Sequence, residues 1–174
     1  MTREPAVETA SEPAALDPNG ARPTIVVGVD GSASAAAAVQ WAARQAKLEQ
    51  ADVLAVIAWD YPALVGLGVV VPSQEIEDAA GEALAETITR ELGSEPEVPV
   101  AQRVVYGYPA EVLLDASRDA HLLVVGSRGL GGFAGTVLGS VGRACVEHAA
   151  CPVVVVRGPE TGHHHGHGAG RHLD

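Results

Sequence analysis

The chain has 174 residues, of which 47% are hydrophobic and 19% charged, a composition that folds around one ordinary core and excludes disorder as the default. A formal net charge of -11, with Lys47 as the sole lysine, excludes the basic stripe that neutralises a nucleic-acid backbone. No run reaches the roughly 18 to 20 apolar residues of a membrane span, and Met1 to Arg22 lacks the basic head and apolar stretch of a signal peptide, so a cytoplasmic protein is expected.

In chain order, residues 1–23 are rich in Ala, Pro, Glu and Ser without apolar periodicity and read as a disordered leader. Thr24 to Val29 is a β-branched run, the mark of a strand buried on both faces. It ends at Asp30, Gly31 and Ser32, after which Ser34 is expected to cap an Ala-rich helix through about Gln50, with Val39, Ala42, Ala43 and Ala46 on one face. A second strand covers Asp52 to Ala58. A loop from Asp60 to Pro72 precedes a helix from about Ser73 to Leu92, with Gly93 as its stop. A third strand is expected over Val98 to Val105 and a short helix from Pro109 to about Arg118. His121 to Val125 reads as a fourth buried strand, Ser140 to about Ala149 as a last helix, and Pro152 to Val156 as a fifth strand. Residues 158–174, rich in Gly and His with one Pro, read as a flexible tail. The alternation predicts an α/β fold in which a parallel, doubly wound sheet is covered by helices on both faces. Such sheets hold ligands outside the carboxyl ends of their strands, where strand order reverses.

Directly after the fourth strand come Gly126, Ser127, Arg128 and Gly129, then nine residues including Gly131, Gly132 and Gly135, then Gly139 and Ser140. Backbone amides approach phosphate oxygens only where no side chain holds the ligand off, and Gly129, Gly139 and the amides beside them meet that need. The following helix, opening at Ser140 and Val141, aims its positive end at the same space. Turn glycines in a surface loop are the plain alternative. Neither G-x-x-x-x-G-K-S/T nor a G-x-G-x-x-G after the first strand is present, which disfavours a P-loop motor or an ordinary NAD dehydrogenase.

The spacing Gly126-x2-Gly129-x9-Gly139-Ser140 resembles the G-2x-G-9x-G-S/T nucleotide motif of the universal stress protein family. VVGVDGS at Val26 to Ser32, VVGSRG at Val124 to Gly129 and CPVVVV at Cys151 to Val156 follow in that family's order. The resemblance spans residues 24–157. It implies five strands in the order 3-2-1-4-5, an adenine nucleotide α-hydrolase-like arrangement, with ATP between the first and fourth strands. It also implies that Val29, Asp30 and Ser32 close the first strand beside the ligand, with Asp30 on the ribose or on Mg²⁺ carried by ATP. Backbone near Ala58 would read adenine. Gly126, Ser127 and Arg128 would flank ribose and phosphates, while Gly129, Gly139, Ser140 and Val141 would hold the phosphate chain. Asp30 is equally suited to a turn or helix cap, and Arg128 to simple solvation.

Cys145 and Cys151 are too few for a disulfide framework and are not spaced as C-x-x-C, so both are expected to be buried packing residues. Five histidines in the tail could bind a transition metal but lack fixed geometry, and His121 and His148 read as structural. Four consecutive valines, Val153 to Val156, would expose an open sheet edge, and the resemblance implies that this edge pairs with its copy in a homodimer. The function expected is an ATP-binding stress-response regulator whose nucleotide state controls its conformation or its contacts with a protein partner. Slow ATP hydrolysis or self-phosphorylation, and a nucleotide-free dimeric scaffold, are the alternatives. A dedicated enzyme is not expected. An adenylating α-hydrolase would carry an S-G-G-x-D-S loop, whereas this chain reads Val29-Asp30-Gly31-Ser32-Ala33-Ser34.

Overall fold

The computed structural model describes residues 22–60, 73–130 and 137–158. Residues 1–21 of the leader, most of the loop after the second strand, Gly131, Gly132 and Gly135, and residues 159–174 of the tail lie outside them. The described elements are β1 (Thr24–Val29), α1 (Ala33–Glu49), β2 (Asp52–Trp59), α2 (Ser73–Leu92), β3 (Val100–Tyr106), α3 (Pro109–Ala116), β4 (Leu122–Gly126), α4 (Ser140–His148) and β5 (Val153–Val156). The strands form one sheet in the order β3-β2-β1-β4-β5, and every neighbouring pair is parallel. Among the described residues no helix is long and apolar enough to cross a membrane.

The two-residue period of a strand divides the core. Ile25, Val27 and Val29 of β1, with Val53, Ala55 and Ile57 of β2, pack under Ala38, Val39 and Ala42 of α1 and Leu84 and Ile88 of α2. The alternate residues, Val26, Leu54, Val56, Leu123 and Val125, pack against Val112 and Leu113 of α3 and Cys145 of α4. Each fully buried Val, Ile or Leu in these layers contributes about 1.5–3 kcal/mol of transfer free energy. From β1 the chain builds outward through β2 to β3 with helices on one face. It then crosses to β4 and β5 with helices on the other. Right-handed crossovers running in opposite directions must leave opposite faces, so a crevice opens between the carboxyl ends of β1 and β4.

Of the expected boundaries that move, three have clear local reasons. β3 begins at Val100 instead of Val98 because Pro99 has no N–H for the ladder and offers only its carbonyl, which accepts from the Val53 amide at 2.9 Å. Pro152 likewise gives only its carbonyl, to the Leu123 amide, and β5 begins at Val153. The cap of α1 is Ser32 rather than Ser34. Gly31, at φ +79°, turns the chain early enough for the Ser32 hydroxyl to accept from the Ala35 amide at 3.1 Å.

Candidate functional site

A cleft of about 700 Å³ occupies the crevice between β1 and β4, within the roughly 300–1,000 Å³ usual for small-molecule sites. One end is apolar. Gly28 and Val29 of β1, Val56 and Ala58 of β2, and Pro109 and Leu113 of α3 line it. Gly28 is bare because Leu113 fills the space above it, where an added Cβ would lie 2.8 Å from the Leu113 Cδ1.

The other end is polar and is built by two loops. Asp30 closes β1, and its Oδ1 accepts from the Ser32 amide at 2.9 Å. Its Oδ2 lies where a Cβ on Gly129 would come within 2.7 Å, so the missing side chain of Gly129 lets the carboxylate settle over the second loop. That loop leaves β4 at Gly126 and is pinned twice through Ser127, whose amide donates to Val156 O at 2.7 Å and whose carbonyl accepts from Gly139 N at 2.8 Å. α4 then starts from Gly139 without any side-chain cap. The first amides of a helix have no intrahelical acceptor, and Ser140 and Val141, which carry two of them, line the cleft. Backbone donors and the helix dipole together suit an anion.

Nine of the eleven residues expected at the site line this one cleft: Val29, Asp30, Ala58, Gly126, Arg128, Gly129, Gly139, Ser140 and Val141. Ser32 and Ser127 do not. Both are buried, Ser32 spending its hydroxyl on capping α1 and on the Arg128 carbonyl at 3.2 Å, and Ser127 its backbone on the two bonds above. The Gly139 amide, expected to face a phosphate, is turned inward to Ser127 O. Gly126 is required by packing, since a Cβ there would lie 2.6 Å from the Ser34 Oγ and 2.9 Å from the Ala35 amide nitrogen.

Arg143 and Glu147 also line the cleft and went unnoticed in the sequence. Their helical spacing of three and seven residues after Ser140 was the available signal. Neither Arg128 nor Arg143 ion-pairs with a described residue, whereas Arg22, Arg90 and Arg118 are each held by a carboxylate. His121 lies at the amino end of β4, its Nε2 3.1 Å from Glu49 Oε2, and His148 Nε2 lies 3.9 Å from Glu147 Oε2. Neither lines the cleft. Cys145 is fully buried and Cys151 half-buried, both as free thiols. Burial, with a smaller contribution from Cys151, pushes the Cys145 thiol up to about 11, which removes it as a nucleophile at neutral pH.

The protein-family model described as the universal stress protein family matches residues 22–157. A universal stress protein of Mycobacterium tuberculosis is 36% identical over 166 residues, covering 88% of this chain and 52% of that protein. The chain thus spans about half the length of the curated relatives it matches. Among solved structures, the universal stress protein UspA from Lactobacillus plantarum is similar at 27% identity and a TM-score of 0.64, over 79% of this chain and all of that one. A universal stress protein solved in complex with cAMP is similar at 27% identity and a TM-score of 0.53, over 80% of this chain and all of that one. With the sheet order, the crevice and the family match all in agreement, the chain belongs to the universal stress protein family.

Proposed function

We propose that this chain is a cytoplasmic regulatory module that binds an adenine nucleotide, ATP with Mg²⁺, in the cleft between β1 and β4, and whose nucleotide state controls its shape or its contacts with a protein partner. The observation that carries this reading is the uncapped start of α4, opening onto a cleft with one apolar and one polar end. Adenine fits the apolar end beside Val56, Ala58 and Leu113. Ribose and phosphates fit the polar end, where the Ser140 and Val141 amides, the Ser140 hydroxyl and the guanidiniums of Arg128 and Arg143, neither ion-paired with a described residue, supply donors. Asp30 would carry Mg²⁺ together with phosphate oxygens, in the manner usual for a cation that keeps most of its water. The relative bound to cAMP supports an adenine nucleotide as the ligand class.

β5 supports a homodimer. It is an edge strand of four half-buried valines, a surface that a second copy would cover. Among the described residues that line the cleft there is no lysine, and Asp30 and Glu147 are the acids, so regulation rather than fast catalysis suits them.

The test is direct. The purified chain is denatured and assayed for released ATP, ADP or AMP, and ATP with Mg²⁺ is then titrated calorimetrically into nucleotide-free protein, with cAMP in a parallel titration. Binding of ATP, lost in Gly139→Val, is the expected result. No heat with either nucleotide would leave a dimeric scaffold as the function. Turnover on the order of 1 per second or faster would make the protein an enzyme.

A further inference from the structure

The turn after β4 is held from behind by a side chain that the nucleotide reading leaves unused. Ser34, the second residue of α1, is only 6% exposed. Its hydroxyl donates to the Arg128 carbonyl and accepts from the Arg128 amide at 3.4 Å. Both backbone polar groups of Arg128 therefore converge on one oxygen, from a residue 94 positions away in sequence.

The surroundings are shaped to this contact. A Cβ at Gly126 would lie 2.6 Å from the Ser34 Oγ, and one at Gly158 would lie 3.0 Å from the Ser34 amide nitrogen. Two bare glycines thus seat Ser34 between the exits of β4 and β5. The hydroxyl is not the helix cap, a role that Ser32 fills; it lies 3.3 Å from the Ser32 hydroxyl, which donates to the same Arg128 carbonyl at 3.2 Å, and Ser34 in addition accepts the Arg128 amide. A buried hydroxyl needs a partner, and here its partner is the turn that carries Arg128 and Gly129 into the cleft.

We propose that Ser34 is a positioning residue for the ligand site: it sets the Arg128–Gly129 turn from behind, so that the Arg128 side chain and the Gly129 backbone meet the phosphate end of a bound nucleotide already in place. The assignment rests on the nucleotide reading above, but the pinning itself does not. Binding then avoids the cost of ordering this turn, which is how preorganisation raises affinity.

The experiment compares the whole wild-type chain with Ser34→Ala. Alanine suits the helix, so the variant folds, and its melting temperature is expected to stay within about 3 °C of wild type. In nucleotide-free protein, amide hydrogen exchange at Arg128 and Gly129 is expected to speed up at least about tenfold while the amides of α1 and the β1–β4 core keep their rates. The Kd for ATP with Mg²⁺ is expected to rise about tenfold, equivalent to about 1.4 kcal/mol. Unchanged exchange at Arg128 and Gly129, or acceleration spread evenly through α1 and the sheet, overturns the proposal. A wild-type chain that binds neither ATP nor cAMP overturns the nucleotide function instead, and the exchange rates still decide whether Ser34 holds the turn.

Discussion

Two strand-to-helix junctions face each other across the crevice, and they are built in opposite ways. At the β1–α1 junction the chain turns within three residues and consumes its own polar groups. The Asp30 carboxylate takes the Ser32 amide, the Ser32 hydroxyl takes the Ala35 amide, and the Ser32 carbonyl takes the Ala36 amide at 3.0 Å. At the β4–α4 junction the chain takes thirteen residues, 127–139, to reach its helix, and α4 begins from a glycine that has no side chain to cap it. The first helix start carries a side-chain cap and the second has none. Two helix dipoles of the same sign point toward one cleft, and the uncapped helix has no side-chain oxygen competing for its first amides. On the proposed nucleotide reading, the comparison teaches that withholding a cap contributes to a site at such a switch point as much as supplying charge does.

The strongest way to break the comparison is to push the junctions apart. Gly126→Ala places a Cβ within 2.9 Å of the α1 backbone, and overpacking of this kind costs about 1–3 kcal/mol, to be read as a lower urea midpoint. An unchanged midpoint would show that the glycine serves the ligand rather than the packing. Uncapping the first junction comes next. Ser32→Ala removes the α1 cap at a cost of about 1 kcal/mol, while the affinity for ATP stays within about threefold because Ser34 still holds Arg128. Capping the second junction has the smallest effect on stability and is the sharpest test of function. In Gly139→Asp the backbone, at φ −71° and ψ 169°, accepts any residue, and the new Cβ meets neighbours no closer than 3.7 Å. The added cap and negative charge raise stability by about 0.5 kcal/mol, visible as a slightly higher melting temperature, while ATP binding measured by calorimetry weakens at least about tenfold.

Much of this was legible before any coordinates. The alternating strands and helices, the parallel sheet and the gathering of nine expected residues around one cleft all follow from local pattern and from the rules of crossover connections. The misses have one cause in common. Ser32 and Ser34 are two hydroxyls two residues apart, and which of them caps α1 depends on where Gly31 turns the chain. Gly126 and Gly139 both belong to the glycine spacing that suggested phosphate binding, yet one is bare to admit α1 and the other turns its amide inward to Ser127. Arg143 and Glu147 share the helical spacing of Ser140, but that spacing alone does not tell a helical residue facing a cleft from one facing water.

By itself, then, the sequence determined the elements, their order and the place of the crevice, because hydrophobic period, turn glycines and crossover handedness act over short stretches of chain. Only the tertiary structure decided how each polar group in that crevice is employed. Whether an amide or hydroxyl is spent internally or left for a ligand depends on partners brought from distant segments, such as Ser34 to Arg128 and Val156 to Ser127.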